Sequence, residues 1–162
     1  MKLEESKFGL LTVRFLLVHV LLPVLIGGLI YTFWRKPTLL VFSWYGSVGL
    51  NETVTHLRSN AQPYYSILPK WFFFCLPDGL WVYAMTSFMA ALWIQSPKPY
   101  LIFWMSLAPV LAFGGEIGQL VGLVQGTYEA ADIAFYAAGF VLSTYVVFEK
   151  NKKSNYEKHC MV

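Results

Sequence analysis

From Phe15 to Trp34 the chain reads F-L-L-V-H-V-L-L-P-V-L-I-G-G-L-I-Y-T-F-W, twenty residues without an acid, lysine or arginine. Coiled as a helix, such a run rises about 30 Å, the thickness of a bilayer's hydrocarbon core. A helix is also the structure that satisfies its backbone away from water. The run is too long for the apolar stretch of a signal peptide and no A-x-A site precedes Arg35, so an uncleaved first span is expected. Within it, His19 reads as a hydrogen-bonded structural group and Pro23 as a kink.

Three more apolar blocks follow, Trp71 to Ile94, Tyr100 to Val124 and Ala130 to Phe148. The fold class expected is all-α, an integral membrane four-helix bundle with spans over about 15–34, 77–94, 100–124 and 130–148. The second span is placed after P-D-G, with Pro77 as a break and Asp78 as the N-cap of a fresh helix. The long first loop, 35–76, carries a short apolar segment, Leu39 to Leu50, too short to span and so interfacial or re-entrant. Residues 1–150 make one transmembrane domain and 151–162 a charged cytoplasmic tail.

Composition supports this class: 57% of residues are hydrophobic and 13% charged, well outside soluble usage. A net charge of +3, with basic residues gathered at the ends of apolar runs, suits headgroups and topology and argues against nucleic acid. Cys75 and Cys160 have neither disulfide-framework nor metal-ligand spacing, and Cys160 stands one residue too near the end for a prenylation box. Both read as free, inert thiols, and no cofactor or metal is expected. Lys2, Lys7, Arg14, Lys98, Lys150, Lys152, Lys153 and Lys158 fall on one side of the four spans and Arg35, Lys36, Arg58 and Lys70 on the other, which predicts cytoplasmic termini.

Functional interest centres on Pro109 to Ser143, where Glu116, Gln119, Glu129 and Asp132 lie inside or against apolar sequence. An acid at the centre of a lipid-facing helix costs about 2.5–3.5 kcal/mol, so such residues face protein or a watery cavity. Glu116 and Gln119 share a helix face beside Gly114, Gly118 and Gly122, a small-x-x-x-small ladder that predicts close approach of a neighbouring helix. Asp132, Tyr136, Gly139 and Ser143 form a matching stripe on the last span. The short connection between spans two and three brings Asp78 and Glu116 toward one membrane face, and Asp132 joins them. Several carboxylates brought together out of bulk water repel one another, so the cluster is expected to take up a proton or a cation. Arg58 or His56, from the basic loop, is a candidate to fold over the cluster; contact with phospholipid headgroups is the competing role of that loop.

The series Glu116-x-x-Gln119, Tyr128-Glu129 and Asp132-x-x-x-Tyr136-x-x-Gly139 resembles the C-terminal signature of VanZ-like membrane proteins. Two positions differ: Gln125 and Gly126 stand where that pattern has an arginine, and Tyr136 replaces an asparagine. The resemblance implies a small polytopic protein of the bacterial inner membrane, in a family linked to resistance to glycopeptide antibiotics such as teicoplanin.

Three functions compete. In the first, a membrane-embedded site binds or acts on an amphiphile of the cell envelope, a lipid-linked precursor or a lipophilic antibiotic. Glu116 would be its acid or base, supported by Asp132 and Asp78, with Gln119, Glu129, Tyr136, Arg58 and His56 in binding roles. Catalysis is left open, since neither a Ser-His-Asp order nor H-E-x-x-H is present. In the second, the chain is a structural or assembly protein whose polar residues are interhelical glue worth about 1 kcal/mol each. The third is proton or ion passage, for which four spans without an internal repeat would need an oligomer. Membrane lipids are the expected surroundings in all three.

Overall fold

The computed structural model describes residues 13–160, whose regular elements are all helical. Four are long: α1 Val13–Trp34, α4 Lys70–Trp93, α5 Lys98–Leu120 and α6 Ala130–Cys160. Between α1 and α4 lie α2 Leu40–Ser47, α3 Asn51–Ala61 and a 3₁₀ turn, Gln62–Ser66.

Two of the intrahelical prolines, Pro23 and Pro77, are absorbed differently. Pro23 lacks an N–H and its ring would crowd the carbonyl of His19, so the preceding turn widens into a π turn over Leu17–Leu21. Pro77 does not start a helix: α4 runs unbroken from Lys70 through it, and Asp78 is an interior residue, not an N-cap. The second span therefore begins at Lys70 instead of residue 77. Flanking helices hold the proline in line, Gly27 of α1 lying so close that a Cβ there would sit 3.5 Å from the Pro77 carbonyl.

α4 is the central helix, packed against α1, α5 and α6. His19 meets Tyr83 and Tyr31 meets Asp78, which sets α1 antiparallel to α4. Trp71 stacks on Phe135 and Ser87 bonds Ser143, which sets α6 parallel to it. The closest crossing is between α4 and α6, where Gly139 lies directly against the Gly79 carbonyl and a Cβ on Gly79 would fall 2.9 Å from the Phe135 carbonyl oxygen. Only two glycines fit there. At the end of the bundle that carries the chain termini, Ala90, Leu101, Met105 and Val147 close an apolar core, and Trp93 stacks on Trp104 at 5.1 Å.

The glycine ladder on α5 is not a helix-packing seam. Gly114 faces open space, and Gly118 meets Val124 of its own chain just beyond the helix. Gly122 ends the helix: with φ of 74° it adopts a left-handed conformation. Its N–H bonds Gln119 O at 3.1 Å while Leu123 N–H bonds Gly118 O at 2.8 Å. This is a Schellman stop, which only glycine enters at no steric cost, so α5 finishes at Leu120 instead of continuing to residue 124. The ladder spacing coincided with a terminator.

The loop over the hairpin end is tied down by Arg58. Its guanidinium lies over the Phe42 ring at 4.8 Å, and Nη1 donates to the Thr32 carbonyl while Nη2 donates to the Arg35 carbonyl at 2.8 Å. The Thr32 carbonyl belongs to the last turn of α1 and the Arg35 carbonyl to the residue just past it, so Arg58 caps the end of that helix. Arg58→Ala is expected to lower stability by about 1–3 kcal/mol through loss of charged hydrogen bonds. Thermal unfolding of the purified protein checks this, and Arg58→Lys should recover only part of the loss because a single ammonium cannot span both carbonyls.

Outward-facing side chains such as Leu25, Leu29, Ile102, Phe103, Val110, Val141 and Leu142 leave a broad apolar exterior. Val13–Trp34, Lys70–Trp93, Lys98–Leu120 and Ala130–Lys150 are long and apolar enough to cross a membrane, which fits a multi-pass membrane protein.

Candidate functional site

The polar residues of the long helices gather at the hairpin end of the bundle. Glu116, near the end of α5, is only 4% exposed. Its Oε2 accepts the Glu129 N–H at 3.3 Å and its Oε1 accepts the Tyr136 hydroxyl at 3.4 Å, both long bonds. The carboxylate thus sits at the entry to α6, where unpaired N–H groups and the helix dipole favour an anion. Asp132, in the first turn of α6, shares that field. Its Oδ1 is shielded from solvent and has no hydrogen-bond partner among the described residues.

Asp78 reaches the cluster from α4. Its Oδ1 accepts the Tyr31 hydroxyl at 2.9 Å, and the same Tyr31 oxygen accepts Arg35 Nη2 at 3.1 Å. Arg35 in turn lies 4.7 Å from the Tyr31 ring centroid and 5.0 Å from that of Phe74. Asp78 is within Coulombic reach of Arg35, Asp132 and Glu116, and Tyr136 within reach of all three acids. The cluster therefore draws Asp78, Glu116, Asp132, Tyr31 and Tyr136 from four helices, with the Glu129 carboxylate within 4.8 Å of that of Asp132 at its exposed edge and the Arg35 guanidinium one residue away.

Other expected members are elsewhere. Arg58 is occupied at the α1 carbonyls and does not fold over the acids. His56 lies exposed on α3, whose hydrogen bonds and packing run to α1 and the 3₁₀ turn. Gln119 shares a helix face with Glu116 but its amide rests on the backbone of Gly126, where a Cβ would come within 2.6 Å of it, so it braces the hairpin. Gly139 is at the α4 crossing, while Glu129, although exposed, stays with the acids: its backbone N–H bonds Glu116 and its carboxylate lies within 4.8 Å of that of Asp132.

Sequence reasoning passed over Tyr31, Arg35 and Cys75. The signal for the first two was their i, i+4 spacing in the last turn of α1. Cys75 is 2% exposed. Its Sγ and carboxylate oxygens of Glu129 and Asp132 lie within 4.8 Å of one another, the donor group among the described residues that could converge on a divalent cation. One thiolate with two carboxylates suits Zn²⁺ better than Mg²⁺ or Ca²⁺.

A second polar line runs deeper in the bundle. His19 Nδ1 and the Tyr83 hydroxyl are 2.6 Å apart, and the Ser87 and Ser143 hydroxyls 2.8 Å apart. The Gly79 and Gly139 crossing separates this line from the acids. Among the described residues, neither His19 nor His56 joins the cluster. What it offers is hydrogen-bond acceptance and negative charge in a partly dry setting.

No family model matches the chain, and neither does any curated protein or solved structure.

Proposed function

We propose that the chain is a multi-pass protein of the bacterial inner membrane with cytoplasmic termini, and that the acidic cluster near its outer face binds an amphiphile of the cell envelope. The observation that carries this reading is Glu116: a carboxylate almost wholly removed from solvent, held by two long hydrogen bonds, beside an Asp132 oxygen with no partner. Buried acceptors left this loosely satisfied are costly unless a ligand completes them. With Arg58 committed to capping, the cluster favours the donor-bearing part of a ligand, its hydroxyls, amides or amines, over a phosphate. Lipid-linked precursors and lipophilic glycopeptides both present such groups. The resemblance to VanZ-like proteins supports the same class of ligand, and Tyr136 supplies a hydrogen-bond donor to Glu116 where that pattern has asparagine.

A second reading has an observation of its own. The Glu116 bond to the Glu129 N–H ties the end of α5 to the start of α6, as interhelical glue would. A strain lacking the chain separates the two. Under the binding reading it changes its sensitivity to amphiphilic glycopeptides or to inhibitors of lipid-linked precursor use, and wild-type chain restores it. An unchanged sensitivity profile would sink that reading.

A further inference from the structure

Between α1 and α4 runs a groove of about 250 Å³, bounded by Pro23, Gly27 and Gly28 on one side and Pro77, Asp78 and Trp81 on the other. It exists because α1 has no side chains there. Gly27 packs on the Pro77 backbone, while a Cβ on Gly28 would meet nothing within 4 Å. Its size is below the roughly 300–1,000 Å³ typical of drug-sized pockets, which suits one alkyl chain and not a ring system. The walls are apolar apart from Tyr31 and Asp78.

We propose that this groove is a lateral docking site for a single-chain amphiphile with a protonated amine head, the chain lying between the glycines and Trp81 and the ammonium on Asp78. The inference rests on the membrane reading above, and it names a ligand class and an entry route for one edge of the acidic cluster. Charge decides the occupant. Asp78 stands in an otherwise apolar wall within a membrane-length helix, where the Tyr31 hydroxyl donates to its Oδ1, and an ammonium on its other oxygen would supply the charge that the wall lacks. The nearest cation, Arg35, bonds the Tyr31 oxygen and not the carboxylate. An ionised fatty acid offers Asp78 no donor and an alcohol offers a neutral one, whereas an ammonium offers both a donor and a positive charge.

The test uses the full chain in phosphatidylcholine nanodiscs with three photoreactive diazirine probes of equal length, an octadecylamine, an octadecanol and an octadecanoic acid. The amine should label peptides covering Pro23–Tyr31 and Pro77–Trp81 about tenfold more than the acid, the worth of one charge-assisted hydrogen bond. Asp78→Asn should bring the amine down to the alcohol's level. Gly28→Leu, which fills the groove without touching the carboxylate, should suppress labelling in a protein of unchanged helicity and so covers the case in which Asp78→Asn misfolds. Equal labelling by all three probes would mean ordinary boundary lipid. Chain-to-chain cross-links through the groove would mean a second copy occupies it. Either result, or amine labelling that survives both substitutions, overturns the proposal. Amine-selective labelling alongside an unchanged deletion strain would retire the envelope reading and leave the groove standing.

Discussion

Gly139→Val is expected to destroy the bundle. At the crossing of α4 and α6 the added atoms would meet the Gly79 carbonyl, with the Tyr83 backbone nitrogen only 3.2 Å from a Cβ. Both are main-chain groups of a helix and cannot rotate aside as a side chain would. Relief requires α4 and α6 to separate, which would also pull apart Ser87 and Ser143 and the Trp71 and Phe135 stack. Overpacking of a tight site costs about 1–3 kcal/mol and sometimes more, and a backbone clash between two central helices belongs at the upper end. Unfolding in detergent, followed by circular dichroism, should show little folded Gly139→Val protein, with Gly139→Ala intermediate. Ser143→Ala, which removes one buried hydroxyl bond, should cost about 1 kcal/mol. If Gly139→Val unfolds like wild type, the parallel packing of α4 on α6 is wrong.

The second large effect concerns ligand and not fold. Glu116→Gln keeps the size of the side chain and removes the charge: its one oxygen can still accept the Glu129 N–H, while its amide nitrogen donates to the Tyr136 oxygen and so reverses that bond. Helix content and unfolding midpoint should stay near wild type. Affinity for an envelope amphiphile should fall about ten- to a hundredfold, the equivalent of one hydrogen bond to a charged group at roughly 1.5–3 kcal/mol. Glu116→Leu is expected to differ in kind, because it leaves two buried donors unpaired at a cost of about 1–3 kcal/mol each. That variant should lose folded protein as well. If Glu116 is only interhelical glue, the Gln variant shows a graded loss of folded protein and no separate loss of binding. Parallel titrations and unfolding curves on the two variants distinguish these patterns.

Much of the helical frame was legible because span length and apolar composition are one-dimensional properties. The gathering of Asp78, Glu116 and Asp132 at one end followed from connectivity, since short links between long helices leave few ways to arrange their ends. Glycine was harder to read. Gly118 and Gly122 have the spacing of a packing seam, yet one meets its own chain and the other ends the helix, a distinction set by a backbone dihedral no spacing reveals. P-D-G suggested a helix start because proline and glycine favour one locally. In the bundle, packing against Gly27 and Gly139 overrides that preference and leaves Asp78 mid-helix. Arg58 looked like a reach toward the acids because charge was weighed without the unpaired carbonyls of α1, which stand closer and take both its terminal nitrogens. Arg35 enters the sequence reading only as a charge that sets sidedness, although its turn places it beside Tyr31, and through it Asp78.

An envelope ligand requires the acidic cluster to face the envelope side, and a cysteine at the hairpin reads that directly. With Cys75 and Cys160 replaced by serine and Thr127 by cysteine, intact cells are treated with a membrane-impermeant thiol reagent. Thr127 is exposed in the connection between α5 and α6, so access there is set by sidedness. Labelling in intact cells is the predicted result and puts Glu116, Asp132 and Asp78 beneath the surface where envelope precursors and antibiotics arrive. Labelling only after lysis would place the cluster toward the cytoplasm and contradict the envelope-ligand reading.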